Sequence, residues 1–199
     1  FWLYSGNCEG SITAEGINTR TWTSGNYRYT EKKYYSVYRN GTLDFKAVPV
    51  DASSKTDDDA MDSIEPFDYS EMTAFNPGYL SGYLAERYDE GKDKCLPRAK
   101  ERIENTTRDE LRNTCNYNSV NVQSYEKHTE IKDVKYAMLP TWLLYTTYQD
   151  KPYFFAMNGQ TGKFIGNLPI SKGKLVAYSL LGGVGGYIIG AILQIMGIF

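Results

Sequence analysis

The last 25 residues, Leu175 to Phe199, constrain the chain most. They read LVAYSLLGGVGGYIIGAILQIMGIF and carry no charge, whereas everything before them is polar, aromatic and charged. About 20 apolar residues suffice to span a bilayer core as a helix. The run therefore predicts a single C-terminal transmembrane helix. Gly182, Gly186 and Gly190 recur at every fourth position and put three bare spots on one face, where a second helix can approach closely. Helix–helix self-association is one expectation from that spacing; the ordinary abundance of glycine in membrane helices is the other account of it. A buried helical hairpin is the alternative to a span, but no matching apolar partner segment occurs elsewhere in the sequence.

Flanking charge sets the expected orientation. Lys163, Lys172 and Lys174 precede the run. Lys and Arg close to a span favour the cytoplasmic side, so the expectation is a single-pass protein of the cell membrane with residues 1–170 on the cytoplasmic face and residues 171–174 as a basic neck. No signal-peptide pattern follows Phe1-Trp2-Leu3-Tyr4. All 24 acidic residues lie at or before Asp150, against 18 Lys plus Arg, a net charge of −6 over that stretch. That balance argues against a duplex-binding face, and direct nucleic-acid binding is not expected of the chain. Membrane and an unidentified protein are the expected partners.

Tyrosine is abundant, at 18 residues. It favours strands, and an exposed aromatic ladder is also an interaction surface. Ser24-Gly25 marks a hairpin between residues 19–23 and 26–30. Asn40-Gly41 predicts a second, because that dipeptide tolerates the positive φ of a tight turn. Gln149-Asp150-Lys151 and Asn158-Gly159-Gln160-Thr161-Gly162 predict two more. Asn76-Pro77 opens a helix through Leu80, Tyr83, Leu84 and Arg87. Pro97 opens another to Asn113, with Ala99, Ile103 and Leu111 as a narrow apolar line. The fold class is α+β: mostly antiparallel hairpins with two or three helices, plus the C-terminal transmembrane helix. A faint echo between residues 1–4 and 141–145 suggests two related β subdomains, 1–50 and 119–170, around a helical middle, with Trp2 and Trp142 packing a shared core.

Chemistry is sparse. Residues 51–71 hold eight carboxylates against Lys55. Asp57, Asp58, Asp62 and Glu65 are weak candidates for a divalent ion, against a plain helix start whose acids complement its dipole; the glycine of a calcium-binding loop is missing. Cys8, Cys95 and Cys115 form no Cys-x-x-Cys pair. His128, the one histidine, lies among polar residues and lacks the setting of a general base. Gly159–Lys163 fails as a phosphate loop, since its glycines are too close and Phe164 stands where Ser or Thr is required. No catalytic and no cofactor-binding residue is assigned.

The runs FWLYSGNCEGSITAEG, VPVDASSKTDDDAMDSIEPFDYSEM, YLSGYLAERYD and AMNGQTGKFIGNLPI together resemble an uncharacterised bacterial family, the TFIIB-type zinc-ribbon-containing proteins of Firmicutes, some labelled primosomal or replication-restart helicases. The resemblance covers Phe1 to about Lys174. It implies a zinc ribbon with paired Cys-x-x-Cys motifs ahead of this domain and a membrane helix after it. Zinc and nucleic-acid binding would belong to that ribbon, absent from this chain, so no cofactor is expected here. The resulting expectation is a membrane-tethered, non-catalytic binding or scaffold module. The alternatives are a metal-assisted enzyme using the Asp57–Glu65 cluster and a nucleic-acid-associated protein acting through the ribbon.

Overall fold

The computed structural model describes residues 1–82, 84, 87–166 and 171–195. Two very long strands dominate it. β1 (Trp2–Ser24) and β2 (Tyr27–Val50) form one antiparallel hairpin that turns at Gly25, where φ is +59°. Glycine adopts that conformation without a Cβ penalty. β3 (Ser119–Tyr136) pairs antiparallel with the other edge of β1, giving a sheet of order β2-β1-β3. A second sheet, β4 (Thr141–Tyr148), β5 (Lys151–Asn158) and β6 (Phe164–Gly166), follows in simple up-and-down order. Its first turn holds Gln149 and Asp150 at φ +51° and +59°, as a two-residue hairpin of this twist needs.

The expected hairpin at Asn40-Gly41 is absent: β2 runs straight through it. Gly41 pairs with Gly10 on β1, and the two glycines receive the helix that crosses above. A methyl at Gly10 would sit 3.0 Å from Leu111 Cδ1 and 3.1 Å from Thr107 Cγ2; one at Gly41 would sit 3.4 Å from Leu111 Cδ2. The dipeptide that reads as a turn thus serves close packing between helix and sheet.

That helix, α2 (Lys92–Asn113), starts at Lys92 behind an N-cap at Gly91, five residues before the expected Pro97 opening, and carries Pro97 inside it. Its buried residues are Cys95, Ala99, Ile103, Thr107 and Leu111, a line at every fourth position, which lies along one face of a helix. The expected apolar line of Ala99, Ile103 and Leu111 is therefore present, extended by Cys95 and Thr107. Thr107 fits an apolar stripe because its hydroxyl donates to Ile103 O at 2.8 Å.

α2 packs across β1, β2 and β3. Ile12, Ala14, Val37, Leu111, Cys115 and Val120 close one end of this core; Tyr4, Val50, Cys95 and Ala99 close the other. The Tyr4 hydroxyl donates to Lys92 O at 2.6 Å, and burial pushes its pKa well up. A short α1 (Asp58–Ser63) joins the first sheet to the second: Ala60, Met61, Ile64 and Phe67 pack with Ala156 of β5. Asn158, fully buried, pins the same junction. Its amide donates to Ile64 O and Pro66 O at 3.0 and 2.9 Å, and its carbonyl oxygen accepts from Gln160 N and Thr161 N at 2.8 and 3.1 Å.

After Asn76-Pro77 only a single turn of 3-10 helix forms, Pro77–Leu80; residue 83 of the expected helix lies outside the described residues. Trp2 packs against Tyr88 and Tyr136 at 4.9 and 5.2 Å, whereas Trp142 is 62% exposed, so the two tryptophans share no core.

The C-terminal run forms α3 (Lys172–Ile195). Among the described residues no helix is long and apolar enough to cross a membrane. This corrects three expectations: the transmembrane helix in the fold class, the single-pass anchor over residues 175–199 and the placement in the cell membrane. Six of the 24 residues of α3 are glycine, and Lys172, Lys174, Tyr178, Ser179, Tyr187 and Gln194 dilute it further. Glycine contributes length without an apolar side chain, so the described part of α3 falls short of the apolar length that a span requires. Residues 196–199 lie outside the described residues.

Candidate interaction surface

The acidic candidates come together, but around arginine. Asp57 caps α1, accepting from Ala60 N at 2.9 Å. Asp62 takes Arg98 at 2.8 Å and Arg102 at 3.1 Å. Glu65 takes Arg102 at 2.8 Å, and Asp58 pairs with Arg98. Arg98 lies within ion-pair distance of both its carboxylates without hydrogen-bond alignment. Arg102 also donates to Pro49 O, so the network ties α1 and the end of β2 to α2. Burial pushes the Glu65 carboxyl above its usual range, and the hydrogen bond from Arg102 pulls back against it; Glu65 Oε1 is buried with no partner. Two cations in the midst of these carboxylates supply the countercharge that a metal ion would supply.

Among the described residues no group of three or more His, Cys, Asp or Glu is placed to hold a metal ion. Cys8, Cys95 and Cys115 are each buried and free. The zinc-ribbon attribution thus has no counterpart among them. His128 is exposed on β3, opposite Glu9.

The membrane-related candidates also separate. Lys163 donates from Nζ to Glu65 O at 2.6 Å, a structural contact at the α1 junction. Lys172 and Lys174 occupy the first turn of α3. A methyl at Gly182, Gly186 or Gly190 would meet nothing within 4 Å, so among the described residues no second helix rests on that face.

The feature that sequence reading passed over is the far end of the first hairpin. β3 begins at Ser119 opposite Ile17, and the last ties to it are Thr19 N to Asn118 Oδ1 at 2.8 Å and Asn118 N to Asn18 Oδ1 at 3.2 Å. From Arg20 to Glu31 the hairpin is a two-stranded ribbon that projects beyond the third strand. Directly opposed residues share a face, and Trp22 faces Tyr29, Arg20 faces Glu31 and Ser24 faces Tyr27. The Trp22 and Tyr29 rings stack with centroids 5.7 Å apart and planes 16° apart; the Arg20 guanidinium lies 5.7 Å from the Trp22 centroid. Closer to the core on the same face, Tyr35 packs on Tyr117 at 5.1 Å. Arg28, Lys32, Tyr34 and Tyr38 belong to the reverse face.

Trp22, Tyr27, Tyr29, Tyr34, Tyr35 and Tyr38 are all exposed, Tyr27 to 71%. Residues 18–36 contain no aliphatic side chain, so every large apolar group there is aromatic. Alternation along β1 and β2 could have signalled this stretch, since Arg20-x-Trp22 and Tyr27-x-Tyr29-x-Glu31-x-Lys33 read as strand faces without any aliphatic core residue.

No protein-family model and no solved structure matches this chain. It is similar to the uncharacterized protein YdjG of Bacillus subtilis (strain 168), with 38% identity over 179 residues, which are 89% of this chain and 52% of the relative. The chain spans about half the length of the curated relative it matches.

Proposed function

We propose that this chain is a non-catalytic binding or scaffold module whose working surface is the ribbon of residues 20–31 together with the exposed side chains of edge strand β2 that continue from it to Arg39. One observation carries the reading: the hairpin extends past both its third strand and its covering helix, and bears stacked, exposed aromatics where no core requires them. Exposed large apolar groups set together on a protein surface mark interaction sites more often than scattered ones do. Aromatic side chains also supply large contact area at low conformational cost. The alternative, a metal-assisted enzyme at Asp57, Asp58, Asp62 and Glu65, is weakened by Arg98 and Arg102, which already form ion pairs with three of those four carboxylates.

The test is a photo-crosslinking residue placed at Tyr27 and, as a control, at Tyr148 on the second sheet. A binding module working through the ribbon gives adducts from Tyr27 that Trp22→Ala with Tyr29→Ala removes. Adducts equal at both positions, or untouched by the double substitution, would show that the ribbon is not the working surface.

A further inference from the structure

We infer that the ribbon binds single-stranded nucleic acid, bases stacking on Trp22 and Tyr29, phosphates meeting Arg20 and Lys33 on that same face, and the strand passing round the edge of the two-stranded ribbon to Arg28 and Lys32 on the reverse face. This rests on the reading of the ribbon as a binding surface and names its ligand class. The first argument is charge. Residues 18–39 hold five cations, Arg20, Arg28, Lys32, Lys33 and Arg39, against Glu31 alone, a net of +4. The whole chain is −2, so the remainder is −6. The overall acidity that argued against nucleic acid is an average over two oppositely charged regions. An acidic body with one basic arm directs a polyanion to the arm.

The second argument is the kind of apolar surface. Non-specific single-strand binders combine a basic track with aromatic rings on which bases stack. Here same-face residues recur about every 7 Å along a strand, and the aromatic pair is followed on its own face, toward the core, first by Arg20 and then by Lys33. Lys33 lies 3.7 Å from Glu31, an exposed pair that a phosphate can replace. The cores of protein–protein interfaces are depleted in lysine, yet Lys33 lies on the same face as the rings and Lys32 on the reverse face of the same ribbon. Insertion into lipid requires an apolar tip, whereas this tip is Thr23-Ser24-Gly25-Asn26 with no aliphatic residue from 18 to 36. Duplex is disfavoured because its bases are stacked away from the rings.

The experiment is fluorescence anisotropy of the full chain with labelled oligo-dT and oligo-U of about 20 nucleotides, the matching duplex, and, by co-sedimentation, vesicles rich in anionic lipid. The single strands are expected to bind, with log K falling against log salt at a slope of about −3, as about four phosphate contacts on a single strand give. Duplex is expected to bind about tenfold more weakly. Trp22→Ala with Tyr29→Ala is expected to weaken single-strand binding about 10- to 100-fold. Arg28→Ala with Lys32→Ala is expected to reduce the slope by about 1.4. Both pairs lie outside the packed core, and circular dichroism checks that each variant keeps its fold. No single-strand binding at low salt, equal binding of duplex, indifference to the aromatic pair, or vesicle binding without oligonucleotide binding each overturns the inference. If oligonucleotides fail while the Tyr27 adducts prove to be protein and vanish in the aromatic double variant, the binding-module reading stands and this one falls. If neither responds to the ribbon, both fall.

Discussion

The same two strands live in two environments. From Trp2 to about Ile17, β1 is held between β2 and β3 and covered by α2; Cys8, Ile12 and Ala14 are at most 1% exposed. From Thr19 to Ser24 every residue of β1 is exposed. Pairing of β1 with β2 runs through both parts, while the register shifts and the second partner, β3, belong to the covered part alone. The cover differs too. The covered half uses small or aliphatic residues, Gly10, Ile12 and Ala14, that admit a helix, and the bare half uses threonine, arginine and aromatic residues. A two-stranded ribbon is marginal in water by itself. This one is held as the continuation of a strand pair whose register the core already fixes.

Removing core from the covered half should have the largest effect. Ile12 is fully buried against Val37, Leu111 and Val120. Ile12→Ala is expected to cost about 2–5 kcal/mol, read as a lower denaturant midpoint at unchanged slope. A cost below about 1 kcal/mol would mean that α2 is not the main cover of the sheet.

Next comes the arginine clamp. Arg102→Ala leaves Glu65 and Asp62 without their common partner and frees Pro49 O. A fully buried pair loses about 3–5 kcal/mol when one partner is removed. Arg102 and Glu65 keep roughly a quarter and a fifth of their side-chain surface in water, so about 2 kcal/mol is expected. Because burial raises the Glu65 pKa and loss of Arg102 raises it further, the unpaired carboxylate is penalised most at neutral pH. The deficit of the variant should therefore shrink as pH falls through the Glu65 pKa and protonates it. Denaturant midpoints from pH 7 down to pH 4 measure this; a deficit that grows with acid would contradict it.

The glycine pair gives a sharper test at lower cost. Gly10→Ala drives a methyl to 3.0–3.2 Å from Leu111, Thr107 and Tyr125, whereas Gly41→Ala makes one ordinary contact at 3.4 Å. The first is expected to cost about 1–2 kcal/mol by overpacking. The second is expected to fall within about 0.5 kcal/mol of zero. Equal costs would show that the helix does not rest on β1 more tightly than on β2.

These glycines also show what the sequence could and could not disclose. Hairpin turns at Gly25 and at Gln149-Asp150 were legible because a turn is local: its residues need positive φ wherever they stand. Asn40-Gly41 carried an equally strong local signal, and it was overridden by Gly10 and Leu111, which lie 31 and 70 positions away. The apolar line of α2 was legible through its spacing, but its start was not, because proline favours a first turn and only the distant packing of Cys95 with Tyr4 and Val50 carries the helix back past Pro97. The arginine clamp was half legible. Carboxylates at residues 57–65 and arginines at 98–112 were each visible, yet only the packing of α1 on α2 sets them face to face. In the C-terminal run the sequence shows an absence of charge, whereas a span also needs continuous apolar side chains, which the glycines among the described residues do not supply. The ribbon was hidden by averaging: a net acidic chain and a tyrosine-rich sheet were properties of the whole, whereas its character lies in residues 18–39.

The smallest stability effect should come from the bare half, and there smallness is the point. The stack of Trp22 on Tyr29, with Arg20 over the indole, is exposed. An aromatic pair contributes about 0.5–1.5 kcal/mol beyond area burial, and a cation–π contact at an exposed site about 0.5–1. Little surface is buried here, so Trp22→Ala with Tyr29→Ala is expected to cost about 1 kcal/mol or less. In a chain shaped only by folding, six exposed aromatics would be an aggregation liability with no return in stability. A loss of several kcal/mol would place the ribbon within the folding core and remove the reason to assign it a separate role. A loss within about 1 kcal/mol, together with loss of binding, would separate the two halves of the hairpin by what each does: the covered half holds the fold, and the bare half meets the ligand.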